Sequence, residues 1–363
     1  MDMIMSKKKP VFPISDTLRT YLEDYDREED IALTYDDMKR WNESLPVLDN
    51  DGNDTLWRSV MYPQSDQIEI FNGLREIYAL LKTDGDMDII NHLSISCIEY
   101  CLFGNSNPFR IKIVNMMNDN HDYFYIKKAD ASRVYGLELE HIMSPNRISY
   151  IIDGDTLVED HIAGIPGDVF IESYMDNNPN FYAVGMAKEF VKFNERCFIM
   201  LLGDMRSYNY VVDITPDFDK EQYRTRTIDF DQLCYEGRMN FYKPQYYKEN
   251  RKIVSFCMET LSHETVAQYQ HEERSLMKKR YHVEKNRITQ LLESLSLDNL
   301  STHEKRTSLI KDLNKYHNTT KFSNCQTMGE VLRIHLDLML GKPKPKKLKV
   351  KAVYKVEGSS SVD

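Results

Sequence analysis

The stretch Leu201-Leu202-Gly203-Asp204-Met205-Arg206-Ser207-Tyr208-Asn209-Tyr210-Val211-Val212 decides how the rest of the chain is read. An apolar run, Cys197 to Leu202, delivers a Gly-Asp pair. Asn209 follows, then a β-type run from Tyr210 to Val212. After a polar turn, a second run ends in Thr227-Ile228-Asp229-Phe230-Asp231. Three polar groups, Asp204, Asn209 and Asp229, therefore sit at the ends of apolar segments. One carboxylate that can orient an acceptor hydroxyl, with an amide oxygen and a second carboxylate for a hard cation, is the set that phosphoryl transfer needs. By itself the stretch also reads as a turn with a capping acid, so the surrounding order matters.

Upstream, the apolar positions Ile68, Phe71, Leu74, Ile77, Tyr78 and Leu81 recur at helical spacing, which predicts a helix over 65–82. Leu45 to Asn53 reads as a turn-rich linker. No catalytic motif precedes residue 92, so residues 1–91 are expected to form an N-terminal helical extension. From His92 the period changes to two. Runs over 94–103, 109–117 and 122–128 predict a three-stranded meander with turns at Gly104-Asn105-Ser106-Asn107-Pro108 and Asn118-Asp119-Asn120. A helix is expected next, with Ser132 as its cap. Then comes a hairpin over 147–162 with Asp153-Gly154 at the turn. Ala163 to Asp168 breaks the pattern, and helices follow.

This order resembles the protein-kinase-like fold, most closely its aminoglycoside and choline phosphotransferase branch. Gly104, Asn105, Ser106 and Asn107 resemble the phosphate-covering loop. Lys127 resembles the strand lysine, because Ile126-Lys127 matches the end of the family's V-A-I-K. Glu138 resembles its helix partner, with Lys128 and Glu140 as alternatives. Glu159, Asp160, His161 and Ile162 resemble the linker whose backbone meets adenine. Leu202-Gly203-Asp204 through Asn209 resembles the H-G-D-x-x-x-x-N loop, and Ile228-Asp229-Phe230 the start of D-F-G. The resemblance implies ATP and magnesium as cofactors, Asp204 as the catalytic base, and Asn209 and Asp229 as metal ligands. Three departures stand out. Leu202 replaces the usual His, Asp231 replaces the Gly of D-F-G, and no A-P-E follows.

The expected architecture is α+β and bilobal. A small antiparallel-sheet lobe with one helix spans 92–162, and a mainly helical lobe carrying the catalytic and metal loops spans 163–341. The expected activity is transfer of the γ-phosphoryl group of ATP to a hydroxyl, a small-molecule acceptor being favoured by the missing A-P-E. The alternatives are a protein kinase of signalling or toxin type and a nucleotide-binding pseudokinase that serves as an interaction module.

The chain has 363 residues, a net charge of -10, 41% hydrophobic residues and six Cys without zinc-ligand spacing. That balance argues against a nucleic-acid-binding surface, apart from weak contact by the basic Pro- and Lys-rich tail at 342–363. No run approaches a membrane span or a signal peptide, so a cytoplasmic protein without membrane contact is expected. The run Tyr242 to Lys252 reads either as an acceptor-pocket lining or as a surface turn.

Overall fold

The computed structural model describes residues 9–83, 85–103, 106–218 and 220–341. Gly104, Asn105 and the basic tail therefore lie outside the described residues. Period-two apolar runs in the first half build one antiparallel sheet. Its strands are β1 (Glu43–Leu48), β2 (Asp54–Met61), β3 (Leu93–Cys101), β4 (Phe109–Asn115), β5 (His121–Lys128), β6 (Tyr150–Asp153) and β7 (Thr156–Asp160). Their spatial order is β1-β2-β3-β4-β5-β7-β6. The expected meander is β3 to β5, and the Asp153-Gly154 signal marks the β6–β7 turn. Gly154 sits there at φ 54, a region that glycine enters without Cβ strain.

Alternation gives the sheet two different faces. One face packs on α2 (Gln64–Thr83), where Ile70, Leu74 and Ile77 join Ile98, Ile111, Ile113, Phe124, Ile126 and Val158 in one core. Leu157, next to Val158, belongs instead to a second core. That core contains α3 (Ala131–Met143), which connects β5 to β6. Every residue of α3 except His141 is buried. Asp130, rather than Ser132, caps this helix by accepting from the Arg133 amide.

The first ninety residues are not a purely helical extension. They hold α1 (Asp16–Asp24) and α2, but the expected linker at 45–53 is the body of the β1–β2 hairpin, which extends the sheet edge. The alternation was hidden because this edge hairpin buries only Val60 fully. Residues from Lys9 onward are pinned as well. Lys9 Nζ lies 2.9 Å from both oxygens of Asp130, and the Phe12 amide donates to the same carboxylate.

The second half is mainly helical. A small sheet of β8 (Ile165–Pro166), β9 (Tyr210–Pro216) and β10 (Glu221–Thr227), in the order β10-β9-β8, supports the central loop. Around it lie α4 (Gly167–Val169), a π turn (Phe170–Tyr174), α5 (Met175–Asn177), α6 (Ala183–Met200), α7 (Arg251–Thr260), α8 (His263–Val283), α9 (Lys285–Leu297), α10 (His303–His317) and α11 (Met328–Leu340). The apolar run Cys197 to Leu202 is the buried end of α6 and its exit. No helix among the described residues is long and apolar enough to cross a membrane.

Candidate active site

The central loop starts where α6 ends. Leu201 terminates the helix in the left-handed conformation at φ 51, and Asp204 takes the same region at φ 58. Left-handed backbone is tolerated by Asp and costly for Leu, so the surroundings must impose it. Segment 232–250 does so. Leu202 bridges Leu233, and the Cys234 amide donates to the Leu201 carbonyl at 3.0 Å. The Asp204 amide donates to the Tyr247 hydroxyl at 2.9 Å, and Asn250 Nδ2 donates to the Met205 carbonyl at 2.8 Å. Leu202, where the resemblance leads one to expect a His, is simply core. Residues 242–252 divide their roles: Tyr242, Tyr247 and Asn250 are buried and Tyr247 and Asn250 brace the loop, while Tyr246 stays exposed.

Within the loop, Asn209 Nδ2 donates to the Asp204 carbonyl at 2.7 Å, and the Asn209 carbonyl accepts from the Ile228 amide at 3.1 Å. Asp229 thus leaves β10 beside Asn209. Arg206 Nε donates to Asp204 Oδ1 at 2.8 Å, and Arg206 Nη1 reaches Glu249 Oε1 at 2.9 Å. Burial pushes the Asp204 carboxyl up to about 6. The Arg206 bond opposes that rise, while Asp229 and Glu249 add to it.

Lys127 is the second-last residue of β5, on the face opposite α2. Its Nζ donates to Glu159 Oε2 at 2.6 Å, a diagonal cross-strand pair given that Lys127 stands opposite Leu157. Arg133, in the first turn of α3, is the residue that sequence reasoning missed. Its Nε pairs with Glu159 Oε1, its Nη2 reaches Glu159 Oε2 at 2.8 Å, and its Nη1 reaches Asp229 Oδ1 at 3.1 Å and Asp231 Oδ1 at 2.9 Å. Gly136, one turn on, permits this approach. A Cβ there would lie 3.0 Å from Cβ of Phe230 and 3.3 Å from its carbonyl oxygen. Asp231 is thus held by Arg133. Burial would raise the Glu159 carboxyl, but Arg133 and Lys127 outweigh it and hold it at about 2. Burial, then the Arg133 charge, pull the Lys127 ammonium down despite Glu159.

The assignment of Glu138 to Lys127 is corrected. Glu138 is 0% exposed and accepts from Tyr21 Oη (2.5 Å), Tyr150 Oη (2.7 Å), Arg27 Nε (3.1 Å) and Arg287 Nη2 (2.7 Å). Its partners come from α1 and the residues just after it, from β6 and from α9, and Lys127 is not among them. The alternative Glu140 binds Asn146 Nδ2 at 2.7 Å. The i and i+5 offset between Arg133 and Glu138 turns the two side chains to different sides of the helix.

The remaining expected site residues divide in the same way. Asp160, one residue beyond Glu159, faces α2, where Lys82 Nζ lies 2.6 Å away. The His161 ring contacts the Tyr125 hydroxyl at 3.2 Å, and burial lowers its basicity. The Asp160 and His161 amides donate to the Ser149 and Tyr123 carbonyls. The Ser106 and Asn107 carbonyls both accept from the buried Tyr35 hydroxyl.

Two side-chain oxygens at this point are left without a partner among the described residues. Asp229 Oδ1 is taken by Arg133 and by the Asp231 amide at 3.0 Å. Asp229 Oδ2 and Asn209 Oδ1 accept nothing from the described residues, and the Asp229 side chain keeps 32% of its surface open. Two free oxygens of this kind suit magnesium. No cluster of three or more His, Cys, Asp or Glu that could hold a metal occurs among the described residues. Burial, reinforced by the Asp231 charge, raises the Asp229 carboxyl even though Arg133 opposes it. No family model matches the chain, and no curated protein matches its sequence.

Proposed function

We propose that the protein is a phosphotransferase that moves the γ-phosphoryl group of ATP to a hydroxyl, with a small-molecule acceptor favoured. The observation that carries this reading is the convergence of Lys127, Asp229, Asn209 and Asp204. These residues come from β5, the end of β10 and the loop after α6, and a continuous path of ion pairs and hydrogen bonds through Glu159, Arg133 and Ile228 links them.

Lys127 would donate to the α- and β-phosphates, held in place by Glu159 rather than by a helix glutamate. Asp229 and Asn209 would hold magnesium through their free oxygens. Bound there, magnesium would neutralise phosphate charge. Asp204 would accept the acceptor's proton on its carboxylate. The new bond would form between the acceptor's hydroxyl oxygen and the γ-phosphorus, the γ-phosphorus bond to the bridging oxygen would break, and the electron pair would leave with ADP. A carboxyl near pH 6 is close to the ideal for such a base at neutral pH. The braces from Tyr247, Asn250 and Arg206 fix its position, which is where most of the rate in this chemistry comes from.

Arg133 on Asp229 favours a second reading, a nucleotide-binding pseudokinase, because it already supplies positive charge where the metal would. Thermal unfolding with ATP, with and without magnesium, followed by transfer of labelled γ-phosphate to water or small alcohols, tests both. Magnesium-dependent stabilisation with turnover supports the phosphotransferase. Stabilisation by ATP alone without turnover supports the pseudokinase, and no stabilisation by either refutes nucleotide binding.

A further inference from the structure

The C-terminal end of α3 borders a cavity of about 470 Å³, walled by the loop Ser144–Arg147 and by faces of α8 and α9. Its size is that of a small-molecule site. Its charge is unusual for a protein with a net charge of -10. Arg147, Lys279 and Arg280 line it, and Arg226 stands behind Arg147, donating from Nη2 to the Arg147 carbonyl at 3.3 Å. None of these four cations has a carboxylate within 4.0 Å among the described residues. The Arg226 Nε is buried without a partner. Arg280, half-buried, makes one hydrogen bond, a long one of 3.4 Å to the Met143 carbonyl.

The nearby acids are committed elsewhere. Glu273 pairs with Arg196, Glu140 with Asn146, and Glu138 with Arg27 and Arg287. Glu284 is the one carboxylate on the lining, and it is exposed at the rim. Arg147 Nη1 meets the His141 ring nitrogen Nε2 at 3.3 Å. Burial, then the charge of Arg27, with Arg287 and Arg147 adding to it, hold this imidazole near 4, so it stays neutral at physiological pH. Ile142, Leu276 and Val283 complete the lining with apolar surface.

We propose that this cavity binds a small organic phosphate, its phosphate gripped by Arg147, Lys279 and Arg280 and its carbon skeleton resting on Leu276 and Val283. Guanidinium forks without a carboxylate partner match phosphate oxygens two at a time, and an ammonium adds a point charge. A half-buried arginine without a counter-ion is costly alone and is repaid when an anion arrives. The site is distinct from the candidate active site. Arg133 and Met143 lie at opposite ends of α3, about 15 Å apart at the rise of an α-helix.

The test is calorimetric titration of the full chain with pyrophosphate and with an inositol polyphosphate, at about 0.15 M salt where non-specific surface attraction is screened. The double variant R147E/K279E alters two exposed side chains, and its circular dichroism would verify an intact fold. Lys127→Met serves as the control for binding at the nucleotide site. The expected result is binding by the native chain and by Lys127→Met, weakened at least about tenfold in R147E/K279E. Absence of binding by the native chain, equal affinity in R147E/K279E, or loss of binding in Lys127→Met alone would each overturn the proposal. A crystal grown with the inositol phosphate would then separate a compact ligand from an extended one. Density against Leu276 and Val283 is expected, and density at the rim alone would refute the pocket.

Discussion

Two carboxylates near α3 meet arginines in opposite ways. Glu138, in the middle of the helix, is fully enclosed and takes hydrogen bonds from two tyrosines and two arginines. Asp229, beside the first turn, shares Arg133 with Asp231 and Glu159 and keeps one oxygen free and a third of its side chain open. The first hub is saturated, so it can only hold the fold together. The second is left incomplete, and an incomplete polar cluster costs stability unless something binds to it. The same residue types thus make a closed cluster in the middle of the helix and an open one beside its first turn, and the number of unfilled acceptors separates them.

The largest expected effect falls on the closed hub. Glu138→Gln leaves Arg27 and Arg287 facing each other without their shared counter-charge. It should cost about 3–5 kcal/mol of stability, read as a lowered urea midpoint. The affinity for ATP should be unchanged in whatever fraction stays folded. A variant that unfolds normally but loses ATP would return Glu138 to the site and erase the contrast.

The open hub should answer the other way. Asp229→Asn keeps the shape and the Oδ1 hydrogen bond but removes the charge. Magnesium-dependent transfer should fall about 10²–10³-fold, the loss typical of one preorganised electrostatic group. The melting temperature should hold or rise, since a carboxylate crowded by Asp231 is removed. Full turnover in this variant would sink the metal assignment.

A third test uses acid. Burial works against the Glu159 charge, but Arg133 and Lys127 bring its carboxyl from an ordinary 4.5 to about 2. A depressed carboxyl contributes stability that is complete above the unfolded value and is lost as pH falls through the folded one. The native chain should therefore lose up to a few kcal/mol between about pH 4.5 and 2. Glu159→Gln, already weaker at neutral pH, should lose less over that range. An identical acid slope in both proteins would show that the Lys127–Glu159–Arg133 cluster is not what acid titrates.

The contrast also explains what the sequence disclosed. The strands at 93–128 and the helix at 64–83 were legible because each buries one face with strict periodicity. Asp204, Asn209 and Asp229 stood out because they interrupt apolar runs, and the fold brings their segments together. The partner of Lys127 was not legible. The helix glutamate is much nearer to Lys127 in sequence than the strand glutamate, and only the register that sets Lys127 opposite Leu157 puts Glu159 within reach. Arg133 was missed because a single arginine in a helical stretch carries no pattern. Gly136 was the available signal. A glycine inside an otherwise buried helix implies that another backbone comes close, and here that backbone is Phe230. The β1–β2 hairpin was missed for the opposite reason: an exposed edge leaves no apolar alternation to read.

The smallest effect is the most specific to the open hub. Asp204 must be ionised to accept a proton, and burial holds its carboxyl at about 6, so kcat/KM should fall as pH drops below about 6. Arg206 is the main group opposing that rise, through its 2.8 Å bond. Arg206→Gln removes this charge and also releases Glu249, whose own charge pushes Asp204 further up. Both changes act in one direction. The acid limb of the rate profile should therefore move to higher pH by about one unit, equivalent to about 1.4 kcal/mol between the two protonation states. A merely structural Arg206 would lower the rate equally at every pH. A native rate profile with no acid limb near pH 6 would remove Asp204 from the role of base, even if Asp229 and Lys127 kept theirs.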